Sequence, residues 1–179
     1  MIIEQRKRAM KMDKLYDLIK EMRKYVDKPE DGLPEELFLF ATEITPMVNV
    51  DLLVKDDRGR ILLSWRNDKF YGAGWYVPGG ILRLKETLED RVRKVAENEI
   101  LCKNIYFNQV PIDVVPIICP EMKQRGHFIS FIYECKLPEE FELHNRKQKG
   151  EAGYLQWFDA CPDNILKVHD FYRKYWNDL

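Results

Sequence analysis

The chain has 179 residues, 45% of them hydrophobic, and its 29 basic and 30 acidic side chains leave a net charge of −1. That is enough apolar material for one domain and its core, with length left for an added element. Charges of both signs are interspersed throughout, which argues against a nucleic-acid groove or a polybasic membrane patch as the main business of the chain.

In chain order, residues 3 to 26 are predicted as a helix. Leu15, Ile19, Met22 and Val26 fall on one face, and Leu18 and Tyr25 widen it. Two prolines, a glycine and acidic residues from Asp27 to Pro34 mark a linker. The expected organisation is therefore an N-terminal helix and linker over 1–32 and a single domain over 33–179. Met47 to Val54 alternates as a strand, with Val48, Val50, Leu52 and Val54 on one face and Asn49 and Asp51 on the other. Asp56-Asp57-Arg58-Gly59 is a hairpin turn leading into a strand from Ile61 to Trp65. A glycine loop and a helix from about Lys85 to Leu101 follow. Strand material from Ile105 to Ile118 is interrupted by Pro111 and Pro116, and His127 to Cys135 alternates again. A charged loop from Pro138 to Gly153 precedes a short strand, Tyr154 to Phe158, and a final helix from Pro162 to Trp176. Strands mixed with helices in this order imply an α/β/α sandwich with a mixed sheet.

No stretch approaches the ~20 apolar residues of a membrane span, and the charged N-terminus lacks the apolar region of a signal peptide. Cys102, Cys119, Cys135 and Cys161 lie far apart, with neither C-x-x-C nor zinc spacing. They read as reduced thiols of a cytoplasmic protein.

The most informative stretch is Gly74-Trp75-Tyr76-Val77-Pro78-Gly79-Gly80, with Glu86 and Glu99 beyond it. On a helical wheel Glu99 continues the apolar stripe of Leu88, Val92 and Val95. A carboxylate there is costly unless it is paired or holds a metal. The glycine turn brings free backbone groups to the start of the same helix. Together these features suggest an oxygen-ligand site for a hard cation such as Mg2+ with a phosphate. Glu86 falls on the opposite, solvated face of the wheel and reads as a structural helix-start or ion-pair residue.

This segment resembles the Nudix box, G-x5-E-x7-R-E-U-x-E-E-x-G-U, where U is a bulky aliphatic residue. Gly80, Glu86 and Glu99 match, while Lys94, Val95, Asn98 and Leu101 stand in place of the arginine, two glutamates and the late glycine. So thinned a box is similar to that of the GDP-mannose mannosyl hydrolases, in which one helix glutamate remains. Thr45-Pro46, Val50-Asp51, Arg58-Gly59, Leu62-Leu63, Arg66, Trp75, Glu86-Thr87-Leu88-Glu89 and Trp157 extend the likeness over roughly residues 36 to 175.

The resemblance implies a Nudix-type α/β/α sandwich, a homodimer paired through N-terminal segments, and a Mg2+ or Mn2+ site made by the Gly79 carbonyl, Glu99 and Glu151. It also implies that Arg66 contacts the diphosphate and that Asp51 lies near the substrate end of the pocket. Lys94 would stand in for the box arginine. The residues alone leave Arg66 as a surface ion pair, Asp51 as a solvated strand aspartate and Lys94 as a surface lysine. In that branch water attacks the anomeric carbon, releasing GDP and free sugar, and a histidine serves as base. Ala152 occupies the histidine's position here, and Ile81 the position of an arginine after the glycine pair, with Arg83 close by. Of the three histidines, His127 reads as packed or facing substrate, His144 as a loop residue and His169 as surface. Three functions therefore remain open. One is hydrolysis of a nucleotide sugar such as GDP-mannose, another is attack at phosphorus on a different nucleoside diphosphate derivative, and the last is a binding or regulatory protein with little turnover.

Overall fold

A computed structural model describes residues 2–177 of the chain, with side chains from residue 11 to residue 176. Helix α1 (Ile2–Arg23) precedes α2 (Glu35–Ile44), and eight strands follow: β1 (Met47–Val54), β2 (Ile61–Asp68), β3 (Gly72–Tyr76), β4 (Gly79–Ile81), β5 (Tyr106–Phe107), β6 (Asp113–Ile118), β7 (His127–Lys136) and β8 (Leu155–Phe158). Helix α3 (Leu88–Val95) lies between β4 and β5, and α4 (Lys174–Asn177) closes the described chain.

Two sheets carry the fold. The larger runs β4-β1-β7-β5, with β6 also on β7, and the smaller runs β3-β2-β8. Strand β1 is parallel to β7 and antiparallel to β4, so the sheet is mixed as expected. Pro116 is tolerated in β6 because that strand pairs only with β7.

Both faces of β1 are covered. Val50, Leu52 and Val54 pack with Val92, Val95 and Ile100 in one core, while Leu53 joins Ile61, Leu63, Ile132, Tyr172 and Trp176 in a second. The sandwich expected from the sequence is therefore present, with α3 on one side and the C-terminal segment on the other. This corrects the reading of Asp51 as solvated: a strand covered on both faces buries its minority residues too, and Asp51 is 1% exposed.

Several boundaries differ from the sequence reading. Helix α2 was not anticipated, because its short run Phe38-Leu39-Phe40-Ala41 after Pro34 is too brief to establish a period. The final segment is a 3-10 helix (Lys167–Arg173) followed by one α-turn rather than a continuous α-helix. Leu15, Leu18 and Ile19 of the stripe on α1 are left uncovered, at 46%, 53% and 40% exposed, while Met22 and Val26 at its end are half-buried. Cys102, Cys119, Cys135 and Cys161 are all free thiols, as expected. Among the described residues no helix is long and apolar enough to cross a membrane.

Candidate functional site

The site begins at Asp51, in the middle of the central strand. Its carboxylate accepts hydrogen bonds from the Ser130 hydroxyl, from Tyr172 Oη at 2.6 Å and from Asn49 Nδ2 at 2.7 Å. Burial pushes its pKa up to about 6, against the pull of these donors and of Arg66.

Gly79 lies directly opposite on β4. The flanking bonds, Leu52 N–H to the Pro78 carbonyl and Leu82 N–H to the Val48 carbonyl, make Asp51 and Gly79 a non-hydrogen-bonded pair. Side chains approach closely at such pairs. A Cβ at position 79 would sit 2.0 Å from Asp51 Oδ1 and 2.9 Å from the Val50 carbonyl oxygen. Gly79→Ala is therefore expected to displace β4 and lower stability by about 1–3 kcal/mol. Urea unfolding would check this; an unchanged midpoint would mean that β4 gives way freely.

The same register turns the Gly79 N–H and C=O away from β1, toward the open edge of the sheet. The Glu99 carboxylate accepts the N–H there. Helix α3 starts at Thr87 with a reciprocal capping box to Asp90 and lays Val92 and Val95 into the core. It then widens into a π-turn (Ala96–Ile100) and stops at Leu101, whose φ of 68° is left-handed. That conformation favours glycine, the residue that the Nudix box has at this point. A π-turn alters the facing of the residues it contains, and Glu99 lies within it.

The half-buried Glu99 carboxylate accepts a 2.8 Å hydrogen bond from Tyr76 Oη. Burial raises its pKa to about 7, and the negative charge of Asp51 adds to the rise. Tyr76, Arg66 and the Gly79 N–H favour its charged form. Arg66 completes the group: its guanidinium lies 4.3 Å from the centroid of the Tyr76 ring and 5.5 Å from that of Tyr71. Asp51, Arg66, Tyr71, Tyr76 and Gly79 share the wall of one cavity of about 390 Å³.

His169 was read as a surface residue, but it is 9% exposed and forms part of this wall. It stacks on Tyr172 and meets Tyr76 edge-on. Its Nδ1 accepts the Val77 N–H at 3.3 Å, which places the proton on Nε2. Burial and then Arg66 push its pKa down to about 3, so the ring is neutral and presents a donor. The signal for it in the sequence was the i, i+3 pair His169 and Tyr172, which places both rings on one face of the closing helix.

Glu86 precedes α3 rather than lying on it, so its wheel angle does not apply, and its side chain is 4% exposed rather than solvated. It accepts the Arg83 N–H at 2.9 Å and Arg91 Nε at 2.7 Å, and pairs with Lys94 Nζ at 2.9 Å. Burial alone would raise its pKa, but these partners hold it low. Lys94 is accordingly held in that ion pair and is not among the residues that line the cavity. Glu151 and Ala152 are exposed on the turn before β8, and neither lines the cavity. The Glu151 carboxylate accepts the Gln148 N–H at 2.8 Å. The structure thus brings together Asp51, Arg66, Gly79 and Glu99, all but Glu99 lining the cavity and Glu99 held against its wall by Tyr76 and the Gly79 N–H, and leaves Lys94 and Glu151 apart from the group.

Among the described residues no three His, Cys, Asp or Glu side chains converge as a ready metal cage. The oxygens that do gather are those of Glu99, Gly79 and Asp51, and Asp51 is already engaged by three donors. This donor set fits one Mg2+ that keeps several waters and shares a ligand phosphate, and it does not fit a multi-metal cluster.

Comparison with known proteins agrees with this architecture. The chain is 32% identical over 80 residues to the low-salt glycan biosynthesis protein Agl8 of Haloferax volcanii, a match spanning 45% of this chain and 51% of that protein. The crystal structure of a MutT protein from Methanosarcina mazei Go1 superposes with a TM-score of 0.56 at 16% identity, covering 75% of this chain and 94% of that one. A UDP-X diphosphatase superposes with a TM-score of 0.53 at 20% identity, covering 94% and 78% respectively. The profile of the NUDIX domain matches residues 45–171, and the chain belongs to the Nudix family.

Proposed function

We propose that this Nudix protein is a Mg2+-dependent hydrolase of a nucleotide sugar, with GDP-mannose as substrate and GDP and mannose as products. The observation that carries the reading is the single helix carboxylate, Glu99, which touches the cavity wall from behind through the Tyr76 hydroxyl and the Gly79 N–H and feels the charge of Arg66. Attack at phosphorus commonly relies on several metals to activate water, whereas departure of a diphosphate from carbon requires mainly that its growing charge be neutralised. When bound, Mg2+ (or Mn2+) would supply part of that neutralisation. Glu99 and the Gly79 carbonyl would hold it, with Glu151 joining only if its loop moves inward. Arg66 would carry the rest of the charge, and Asp51 would fix the Gly79 edge and the polar floor. His169 Nε2–H would donate to the ligand.

A second reading is a binding protein with little turnover. It is favoured by the absence of an accepting histidine from the cavity wall, since His169 Nδ1 is occupied by Val77 and Ala152 is exposed outside. Incubating GDP-mannose and a panel of nucleotide sugars with Mg2+ tests both readings. GDP plus free sugar supports hydrolysis at carbon. GMP plus sugar phosphate would replace it by attack at phosphorus, and binding without products would favour the second reading.

The 1–32 segment is proposed to act apart from the 33–179 domain by pairing with a second copy, which would cover the exposed stripe of α1. A chain beginning at Asp31 is expected to sediment as a monomer while the full chain sediments as a dimer. A dimer in both cases would place the interface elsewhere.

A further inference from the structure

Arg125 lies in the same cavity wall, outside the arrangement described so far. Its φ of 55° is left-handed, a conformation that costs energy for a residue with a Cβ and that tends to persist where the surroundings enforce it. Here both of its backbone groups are held. Its N–H donates to Thr42 Oγ1 at 3.0 Å, and its carbonyl accepts Tyr71 Oη–H at 2.8 Å. The guanidinium sits among three rings, 5.0 Å from the centroid of Phe70 and 5.6 Å from those of Phe38 and Tyr71. Cation–π contacts of this kind orient a guanidinium without neutralising it.

The carboxylates that could neutralise it are engaged elsewhere. Glu35, which feels the charge of Arg125, is paired with Lys69 at 2.8 Å, and Glu43 is held by Gln124 at 2.8 Å and Lys123 at 3.1 Å. Among the described residues no acidic side chain forms an ion pair with Arg125, and its Nε is buried without a hydrogen-bond partner. With Nε shut in, the guanidinium can meet an acceptor from outside the chain at its two terminal nitrogens, which donate no hydrogen bond among the described residues.

Tyr71 connects this group to the site. The Arg66 guanidinium is 5.5 Å from the centroid of the same ring that Arg125 approaches to 5.6 Å. We infer that Arg125 is a second oxyanion contact, so that the cavity takes a ligand with two linked phosphoryl groups, one on Arg66 and the next on Arg125 across Tyr71. The inference rests on the nucleotide-sugar reading for the identity of the natural ligand, but not for the anion contact itself. What it adds is the residue: Arg125 becomes a ligand-binding contact of this cavity beside Arg66.

Calorimetric titration with inorganic pyrophosphate and with orthophosphate, in metal-free buffer, tests the contact apart from any reaction. The natural chain is expected to bind pyrophosphate at least tenfold more tightly than orthophosphate. Arg125→Met and Arg125→Gly should each lose that preference, with the glycine variant also relieving the left-handed backbone. Arg125→Lys should recover only part of it, because a point charge replaces a planar fork. Thermal melts would establish that each variant compared is folded. A folded Met or Gly variant that keeps the pyrophosphate preference would overturn the assignment. So would a variant that loses affinity for guanosine but not for pyrophosphate, because Arg125 would then read the base. Arg125-dependent pyrophosphate binding in a protein that cleaves no nucleotide sugar would sink the proposed reaction and leave this contact standing.

Discussion

Glu99→Gln is expected to lower metal-dependent turnover by at least ~10³-fold, about 4 kcal/mol of transition-state stabilisation. The amide keeps the size of the side chain and can still accept the 2.8 Å bond from Tyr76, so the cavity wall should survive. What disappears is the negative charge that would hold a cation beside the Gly79 carbonyl. Removing that charge also ends the cost of burying it and, to a lesser degree, its repulsion with Asp51. The metal-free glutamine variant is therefore expected to be as stable as the natural chain at pH 8 or more so, by at most about 3 kcal/mol and less with solvent screening. Loss of activity with stability retained separates a ligand role from a packing role. If Glu86→Gln impaired metal binding more than Glu99→Gln, the site would be wrongly placed.

The pH dependence follows from the same two carboxylates. Glu99 titrates at about 7 and Asp51 at about 6 in the folded chain, both above their ordinary values. The native state therefore binds protons that the unfolded chain has already released. Their contribution to stability is present below about pH 4 and is lost as pH rises to about 7. Metal shows the opposite trend, because it binds the ionised form: Mg2+ affinity is expected to fall about tenfold per pH unit below 7. Melting temperature against pH, with and without Mg2+, reads both trends, and parallel curves would exclude Glu99 as the ligand.

The parts of this site that were legible in the sequence are those fixed by local pattern. Gly79, Glu99 and the strand carrying Arg66 belong to one continuous stretch whose turn and stripe can be counted. The wheel gave Glu99 the correct inward direction even though a π-turn changes the helix geometry there. It failed for Glu86, because that residue lies before the N-cap at Thr87, where helical periodicity has not begun. Asp51 was misread for a different reason. Whether the second face of a strand is covered depends on what returns from far along the chain, here Tyr172. His169 and Arg125 were missed likewise: the ring is buried by packing from β3, and the guanidinium is caged by Phe38 and Phe70 from other elements.

Arg66→Met is expected to reduce kcat by roughly 10²–10³-fold with a smaller change in KM, as for loss of a preorganised donor to charge that develops in the transition state. Methionine can maintain much of the contact with the Tyr76 ring, where the guanidinium now lies at 4.3 Å. Stability should therefore change little, while a positive charge that acts on both Asp51 and Glu99 is lost. That loss has its own signature. Arg66 favours the ionised form of each carboxylate, so its removal should move the acidic limb of the pH–rate profile to higher pH. Arg66→Lys should restore the position of that limb but not the full rate, because an ammonium cannot present the planar fork that grips two phosphate oxygens. A methionine variant with normal kcat and a raised KM would mean that Arg66 binds the ground state and the transition state equally. The charge developing on the leaving diphosphate would then have to be met by the metal and Arg125.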